Sequence, residues 1–308
     1  MSILVCYHKP SPIIANKILK PILVGAKNAS ADTISALESL CEKKGTKLLK
    51  DNTGEHISEL NPYFCELTAM YWAWKNLDAD YYGLFHYRRV LDFAPTPSKR
   101  RLYKYLIPHY FIEKKYFLKP DMVSGFLQTH QVDVIIPKRK HIAPAHLSFY
   151  DTFKQDHYVQ DLDKALAYIQ EKYPQMADSI TQVFFTKGAA VHYCNVAIWR
   201  KELYFEYCEW LFDILFTIQD SIPYQQYDAY QARVFGYLAE RLFNVWIRYK
   251  EQSCHLRVQE MPLSLTDEKI FRKECSRGYE RYYFLFIRVY KKCVSPPPPQ
   301  EKYPESFT

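Results

Sequence analysis

The stretch that decides the fold is DADYYGLFHYRRVLDF, residues 78–93. Its apolar centre, Tyr81 to Phe85, predicts a buried strand, and the polar turn that follows contains His86, Arg88 and Arg89. In a sheet of parallel strands, ligands bind beyond the carboxyl ends of the strands. Because a guanidinium group matches a phosphate without needing a metal, two adjacent cations at a strand end favour a phosphorylated ligand. The alternative is a structural ion pair with a nearby aspartate.

Strands and helices alternate along the rest of the chain, which indicates an α/β fold with a mainly parallel sheet covered on both faces. Apolar, β-branched runs predict further strands, over residues 2–8, 20–25, 132–139 and 189–200. The spacing of apolar residues predicts helices over residues 32–45, 61–76, 160–172, 202–218 and 230–249. Asp32 and Asn61 are the predicted N-caps of the first two helices. The predicted strand ends, which should meet at one edge of the sheet, are residues 7–9, 86–89 and 137–140 and the region of Asn195.

The net charge of +7 over 308 residues is concentrated near the C-terminus. Residues 269–292 carry eight Lys or Arg against two Glu, so the rest of the chain is close to neutral. A nucleic-acid-binding protein normally carries its basic surface on the folded domain, so this distribution argues against a nucleic-acid partner. The eight cysteines form no CxxC pair, which argues against a zinc site or a disulfide framework and favours a cytoplasmic location.

Composition divides the chain into three parts. Residues 1–250 form the expected α/β domain, residues 251–294 a basic, aromatic extension expected to be helical, and residues 295–308 a proline-rich, disordered end. The extension mixes Arg and Lys with Tyr and Phe, as segments that lie in a membrane interface do. It would attach the protein peripherally to the inner face of the cytoplasmic membrane; the alternative is a final helix docked on the core.

Two further segments have both a functional and a structural interpretation. The polar stretch DNTGEHIS, residues 51–58, supplies a carboxylate, an amide and a hydroxyl, but a plain turn would use the same residues. On the predicted helix that follows, Glu66, Ala69, Ala73 and Asn76 share one face, which can either line a cleft or pack on the sheet. The residues alone leave both alternatives open in both segments.

Four long segments, in this order, resemble a family of bacterial glycosyltransferases of capsule, exopolysaccharide and O-antigen synthesis. They are DNTGEHISELNPYFCELTAMYWAWKN (51–76), YYGLFHYRR (81–89), CNVAIWRKELYFEYCEWLFDIL (194–215) and YQARVFGYLAERLFNVW (230–246). The family was long a domain of unknown function and is associated with galactofuranosyl transfer from UDP-galactofuranose. The resemblance covers about residues 3–250 and implies a GT-A-like, Rossmann-type sheet and an inverting transfer to a sugar acceptor.

The resemblance also implies which residues form the donor site. Carried over residue by residue, it points to His8, Asp51, Asn52, Thr53, Gly54, Asn61, Glu66, Trp72, Asn76, His86, Tyr87, Arg88, Arg89 and Asn195. Where the family has a Thr-His-Lys-like end to its first strand, this chain has Tyr7-His8-Lys9, so the histidine is kept and the threonine is not. The arginines would offset the charge of the departing diphosphate.

An inverting transfer needs one carboxylate to accept the proton of the acceptor hydroxyl. Asp228 is the first candidate, because it lies at a predicted loop–helix junction, and Asp156 and Glu240 are the second choices. For Glu240 the sequence favours a structural ion pair with Arg241 or Arg233 over a catalytic role. No Asp-x-Asp motif follows a predicted strand, and the one in the chain, Asp161-Leu162-Asp163, falls in a predicted surface helix. We therefore expect no required cofactor, with a divalent Mg or Mn ion left open.

The expected partners are a UDP-sugar donor, a lipid-linked or growing glycan as acceptor, and the inner-membrane surface. A homo-oligomer is left open. Two alternatives compete with galactofuranosyl transfer. One is the same fold with another UDP-hexose, such as UDP-galactose or UDP-glucose, and the other is a non-catalytic nucleotide- or glycan-binding module.

Overall fold

The computed structural model describes residues 1–94, 111–266, 271–276, 279–284 and 287–293. The described α-helices are α1 (Ala31–Lys43), α2 (Asn61–Phe64), α3 (Leu67–Asn76), α4 (Ile112–Lys115), α5 (Pro120–His130), α6 (Phe149–Asp156), α7 (Val159–Lys172), α8 (Ala177–Phe184), α9 (Lys201–Gln219) and α10 (Val234–Ser253). The described strands are β1 (Ser2–Tyr7), β2 (Leu19–Leu23), β3 (Leu49–Lys50), β4 (Tyr81–His86), β5 (Arg89–Leu91), β6 (Val134–Pro137), β7 (Lys140–His141), β8 (Ala190–Val191), β9 (Ala197–Arg200), β10 (Val258–Met261), β11 (Leu263–Leu265), β12 (Phe271–Ser276), β13 (Tyr279–Phe284) and β14 (Ile287–Cys293).

The central sheet has nine strands within the described residues. Its main path runs β10-β6-β9-β4-β1-β2-β3, with β5 beside β4 and β11 beside β5. Four neighbours, β3, β2, β1 and β4, are parallel, and β10 is parallel to β6. β9 is antiparallel to both of its neighbours. The parallel strands therefore end at one edge of the sheet, which we call the carboxyl edge, and β9 begins there.

Helices cover both faces of this sheet, as the sequence predicts. Along β1, Leu4 and Cys6 point to one face while Ile3, Val5 and Tyr7 point to the other, because side chains alternate along a strand. The first face packs against α3, α9 and α10, and the second against α1, α4 and α5. Each fully buried large apolar side chain contributes about 1.5–3 kcal/mol, so the two cores hold the carboxyl edge in place from both sides.

The helix predicted over residues 61–76 is broken into α2 and α3. Cys65, between them, has a φ of 52°, which a continuous α-helix cannot contain. Asn61 is the first residue of α2, so the N-cap predicted for it is wrong. The N-cap predicted for Asp32 is also wrong, because the Ser30 hydroxyl caps α1 and Asp32 lies in the first turn.

The C-terminal part differs most from the sequence prediction. β10 pairs with β6 and β11 with β5, so the central sheet continues beyond the boundary predicted at residue 250. The extension predicted to be helical forms an antiparallel sheet, β12-β13-β14. Its aromatic and β-branched residues favour strands over a helix, and this preference outweighs the pattern of interspersed cations from which a helix is predicted. The predicted disordered end, 295–308, lies outside the described residues.

Candidate active site

Three rings meet where β1 and β4 end. The two strands are parallel neighbours with Cys6 opposite His86, so the residues that follow them lie side by side. The ring centroids of His8 and His86 are 5.9 Å apart, and Tyr87 lies 5.5 Å from His8 and 4.4 Å from His86. The prediction that these two strand ends meet at one edge is therefore confirmed.

His86 is buried and held as a neutral imidazole. Its Nδ1 accepts a hydrogen bond of 3.2 Å from the backbone N–H of Arg88, which places the ring proton on Nε2. Nε2 in turn faces Glu66 Oε1 at 3.7 Å. Burial lowers the pKa of His86 to about 3, and the charges of Arg88 and Arg89 act in the same direction. The ring thus supports the turn and directs an N–H group towards Glu66.

Three guanidinium groups share this edge. Arg88 is exposed, with its Cζ 5.4 Å from the Tyr87 ring, and Arg89 begins β5. Arg233, which sequence reasoning did not select, lies just before α10, and its charge lowers the pKa of both His8 and His86 after the larger effect of burial. None of the three forms an ion pair within the described residues, so the structural ion pair considered for the Arg pair is not seen there.

The break between α2 and α3 brings Glu66 and Arg233 together. Arg233 Nε donates a hydrogen bond of 3.2 Å to Cys65 Sγ, and Asn61 Nδ2 donates to the carbonyl of Cys65 at 2.8 Å. A Cβ on Gly236 would lie 3.1 Å from Cys65 Sγ, so a glycine lets α10 approach α2 this closely. Burial raises the pKa of Cys65 to about 11, so the thiol is neutral, and the charge of Arg233 is offset in part by the nearby carboxylate of Glu66.

Asn195 reaches the carboxyl edge because β9 runs antiparallel to β4. The strand predicted over residues 189–200 is in fact two short strands, β8 and β9, and Asn195 precedes the second. Leu84 pairs with Ala197, and the antiparallel register continued by two residues places Asn195 beside His86. The Oδ1 atom of Asn195 is buried and accepts no hydrogen bond within the described residues.

Glu240 is the carboxylate best placed for proton transfer. It lies in α10, two turns after Arg233, and its side chain is partly exposed. Its carboxylate makes no hydrogen bond or ion pair within the described residues, so the predicted ion pair with Arg241 or Arg233 is not formed there. Burial raises its pKa, while the charges of Arg241 and Arg89 partly offset that rise. Arg241 instead packs over the Phe149 ring at 4.2 Å.

The two other candidate bases are less suited to the role. Asp228 is exposed, and its Oδ1 accepts from the backbone N–H groups of Tyr230 and Gln231 at 2.7 and 3.0 Å, so it caps the turn before α10. Asp156 ends α6 and is half-buried next to His157. The charge of Asp156 acts on His157 and Arg241, but not in any resolved way on His8 or His86.

Asp51 holds the scaffold of this edge together. It is fully buried, and its carboxylate accepts hydrogen bonds from Gly25 N at 2.8 Å and Ala26 N at 2.9 Å. It also accepts from Ser58 Oγ at 2.5 Å and Thr68 Oγ1 at 2.6 Å. Four bonds fill the acceptor sites of a carboxylate, so Asp51 fastens the loops after β2 and β3 to α3 and has no site left for a ligand.

The rest of the loop after β3 is fastened to α3. Trp72 Nε1 donates to the carbonyl and hydroxyl oxygens of Thr53 at 2.8 and 2.9 Å, and Asn76 Nδ2 donates to the carbonyl of Glu55 at 2.8 Å. Gly54 has a φ of +62°, and a Cβ there would lie 1.9 Å from Asn76 Oδ1, so the loop requires a glycine. These contacts favour the structural interpretation of the segment.

The structure thus divides the predicted donor-site residues into two groups. The group at the carboxyl edge is His8, Glu66, His86, Tyr87, Arg88, Arg89 and Asn195. The group in the fastened loop and in α2 and α3 is Asp51, Asn52, Thr53, Gly54, Asn61, Trp72 and Asn76.

The Asp-x-Asp motif is part of the scaffold. Asp161 is buried in α7 and accepts a hydrogen bond from the Tyr227 hydroxyl, so its predicted place on a surface is wrong. Asp163 accepts from the Tyr150 hydroxyl at 2.9 Å. Over residues 1–94 and 111–266 and the described strands beyond them, no group of three or more His, Cys, Asp or Glu side chains could hold a metal ion. Catalysis without a metal stays a prediction.

Residues 2–252 match the family described as Domain of unknown function (DUF4422). The chain belongs to this family. The DUF4422 match contains every residue at the carboxyl edge named above, including Arg233 and Glu240. No curated protein matches the chain's sequence at a significant level. In the part of the chain that the structure describes, no helix is long and apolar enough to cross a membrane.

Among solved structures, this DUF4422 chain is similar to the apo form of WbbM, a bifunctional glycosyltransferase. The two are 29% identical in sequence and superpose with a TM-score of 0.73 over 87% of this chain. The match covers 45% of WbbM, so the chain spans less than half the length of that protein. With the mainly parallel sheet described above, this similarity confirms the GT-A-like α/β fold predicted from the sequence.

Proposed function

We propose that this DUF4422 chain is a glycosyltransferase that moves a hexosyl group from a UDP-sugar to a hydroxyl of a glycan, with inversion at the anomeric carbon. The observation that carries the proposal is the set of three guanidinium groups, Arg88, Arg89 and Arg233, without ion-pair partners among the described residues at the ligand-binding edge of a GT-A-like sheet. The similarity to WbbM supports the reaction class. UDP-galactofuranose is the donor that the sequence resemblance favours.

The diphosphate of the donor lies against these cations in our proposal. Guanidinium groups bind phosphate oxygens in a bidentate manner, and they stabilise the charge that grows on UDP as it leaves. His86 Nε2–H and Glu66 lie beside the arginines and can orient the hydroxyl groups of the donor sugar. The free Oδ1 of Asn195 adds an acceptor for a ligand hydroxyl.

Glu240 is the proposed general base. The acceptor hydroxyl attacks the anomeric carbon, its proton passes to the Glu240 carboxylate, and the bond from that carbon to the diphosphate breaks with its electron pair on UDP. A carboxylate with a raised pKa is a better proton acceptor than an ordinary one, and the pKa of Glu240 is raised by burial. This choice replaces Asp228, whose Oδ1 is occupied in capping.

The remaining parts of the proposal concern partners and location. We propose that no metal is required, which activity in excess EDTA with and without added Mg²⁺ or Mn²⁺ tests directly. The acceptor is proposed to be a lipid-linked surface glycan at the inner face of the cytoplasmic membrane, approached through the basic C-terminal strands. These points rest on the sequence resemblance and on the charge of residues 269–292.

Calorimetric titration with UDP tests the donor site. The variants Arg88→Ala and Arg89→Ala should each weaken UDP binding by about tenfold or more, because hydrogen bonds to charged groups contribute about 1.5–3 kcal/mol. Lys17→Ala is the matched control, since Lys17 is an exposed cation just before β2, at the opposite edge of the sheet. Unchanged binding in both arginine variants would remove the donor-site assignment.

A panel of donors separates the alternatives. The wild-type chain is incubated with UDP-galactofuranose, UDP-galactose and UDP-glucose, and the release of UDP is measured. Turnover of UDP-galactofuranose alone supports the specific proposal, and turnover of another UDP-hexose corrects the donor. UDP binding without turnover of any donor favours the non-catalytic binding module.

A further inference from the structure

A cavity, which we call the α10 cavity, lies between α8, α10 and β8, and none of Arg88, Arg89 and Arg233 lines it. Its volume is about 290 Å³. Its lining residues are Arg139, Gln182, Val183, Thr186, Ala189, Ala190, Val191, His192, Asn244, Ile247, Arg248 and Glu251. This volume lies at the lower end of the range for small-molecule sites, so the cavity has room for a group about the size of one sugar residue.

One residue that lines the cavity, His192, has a buried ring nitrogen without a hydrogen-bond partner among the described residues. His192 is only 3% exposed, and its Nδ1 lies 2.6 Å from the carbonyl oxygen of Pro137. A carbonyl only accepts hydrogen bonds, so Nδ1 carries the ring proton and Nε2 has a free lone pair. Nε2 has no hydrogen-bond partner within the described residues. Burial lowers the pKa of His192 to about 4, which keeps Nε2 unprotonated near pH 7.

Asn244 holds the backbone of His192 in place. Asn244 Oδ1 accepts from the backbone N–H of His192 at 2.7 Å, and Asn244 Nδ2 donates to its carbonyl at 3.0 Å. A buried acceptor in a fixed position requires a donor from the ligand, and a hydroxyl group is the commonest neutral one.

The charges around the cavity are largely balanced. Arg139 forms ion pairs with Glu251 and with Glu260, the latter at 2.7 Å. Arg248 lies 3.7 Å from Glu251 and donates to Gln182 Oε1 at 2.7 Å. Because both guanidinium groups already have carboxylate partners, the cavity favours an uncharged ligand over a phosphate. Val183 and Ile247 add apolar surface, as the C–H face of a sugar ring requires.

One helix connects this cavity to the proposed base. Glu240, Asn244, Arg248 and Glu251 recur at spacings of four, four and three in α10, so they share one face. Asn244 Nδ2 also donates to the carbonyl of Glu240 at 3.0 Å. Along the helix axis, Arg248 lies about 12 Å from Glu240, a distance that a short oligosaccharide can span.

We propose that this cavity is a distal acceptor subsite, which binds an uncharged sugar residue of the acceptor glycan through a hydroxyl group donated to His192 Nε2. The inference rests on the proposed function for the identity of the ligand as acceptor glycan, whereas the preference for an uncharged polyhydroxyl group rests on the cavity itself. The acceptor glycan in this proposal is longer than one sugar residue and lies along the same face of α10 that carries Glu240.

Imidazole nitrogen NMR tests the binding directly. The full chain, labelled with ¹⁵N-histidine, is titrated with methyl glycosides of galactose, glucose and mannose up to roughly 50 mM, because a single sugar residue is expected to bind in the millimolar range. At least one glycoside should shift the Nε2 signal of His192 in a saturable manner. His192→Phe, which should lack that signal, assigns it. The titration contains no UDP-sugar, so the shift does not depend on whether the chain transfers a hexosyl group.

A blocking variant completes the test. Thr186 is exposed at the rim, so Thr186→Trp should abolish the glycoside-induced shift. Thr181→Trp is the matched control, since Thr181 is also exposed but does not line the cavity, and it should leave the shift unchanged. The subsite is refuted if no glycoside shifts the Nε2 signal, if inorganic phosphate alone shifts it, or if the shift persists in Thr186→Trp.

Discussion

Replacement of Glu240 by Gln isolates the chemical step. The side-chain carboxylate makes no hydrogen bond or ion pair within the described residues, so an amide of the same shape should leave the fold and UDP binding unchanged. Removal of a general base typically lowers the rate by about 10²–10⁴-fold, which corresponds to about 3–5 kcal/mol in the activation barrier. The assay is release of UDP from the donor that the panel identifies, at saturating concentration, together with calorimetric titration of UDP.

The control is Asp228→Asn, which keeps the Oδ1 that caps the turn before α10 and should retain most of the activity. The pH profile adds a second readout. Because burial raises the pKa of Glu240, the rate in the wild type should rise with pH through a value above that of an ordinary glutamate, and Glu240→Gln should lack this limb. Full activity in Glu240→Gln, or an equal loss in Asp228→Asn, would contradict the assignment of the base.

Three further predictions concern stability and the membrane. Asp51→Asn should lower the free energy of unfolding in urea by about 2–4 kcal/mol, since it places an amide donor among four hydrogen-bond donors. The control is Asp32→Asn, an exposed position where the free energy of unfolding should change little. Equal stability of the two variants would refute the role of Asp51. The folded-state pKa values of His86, His157 and His192 are lowered, mainly by burial. Below the ordinary histidine pKa, these side chains therefore bind more protons in the unfolded state than in the folded state. The free energy of unfolding should therefore be highest above about pH 6.5 and fall by on the order of 3 kcal/mol for each of the three histidines as the pH drops towards 4, and a constant value between pH 7 and 4.5 would contradict this. Deletion of residues 269–308 should abolish co-sedimentation with anionic vesicles, and unchanged sedimentation would exclude anchoring by this segment.

The sequence predicts the centre of the site because β4 is a strong local signal. An apolar run that ends in His86, Arg88 and Arg89 specifies both the strand and the polar edge that follows it. Asn195 was also expected at that edge, but for the wrong reason. The sequence pattern predicts that Asn195 follows a parallel strand, whereas β9 is antiparallel and begins there. Strand direction depends on partners far along the chain, so the local pattern could not reveal it.

The site features that sequence reasoning missed depend on packing between distant segments. Arg233 joins the site only because Cys65 breaks a helix and Gly236 lets α10 approach α2. Gly236 inside a helical pattern is the one local hint of such an approach. Glu240 is better suited than Asp228 as the base because its carboxylate has no hydrogen-bond or ion-pair partner among the described residues. The spacing of residues along the sequence alone could not show this. The C-terminal strands are a different case, because their aromatic and β-branched residues favour strands and this local signal outweighs the interspersed cations.

The central claim is that the carboxyl edge at the ends of β1 and β4 holds the diphosphate of a UDP-sugar. A crystal structure of the chain with UDP tests it most directly. The account predicts diphosphate oxygens within hydrogen-bond distance of at least one of Arg88, Arg89 and Arg233, next to His8 and His86. A diphosphate bound elsewhere would contradict the donor site, and one bound between Arg139 and Arg248 would also contradict the preference of the α10 cavity for an uncharged ligand.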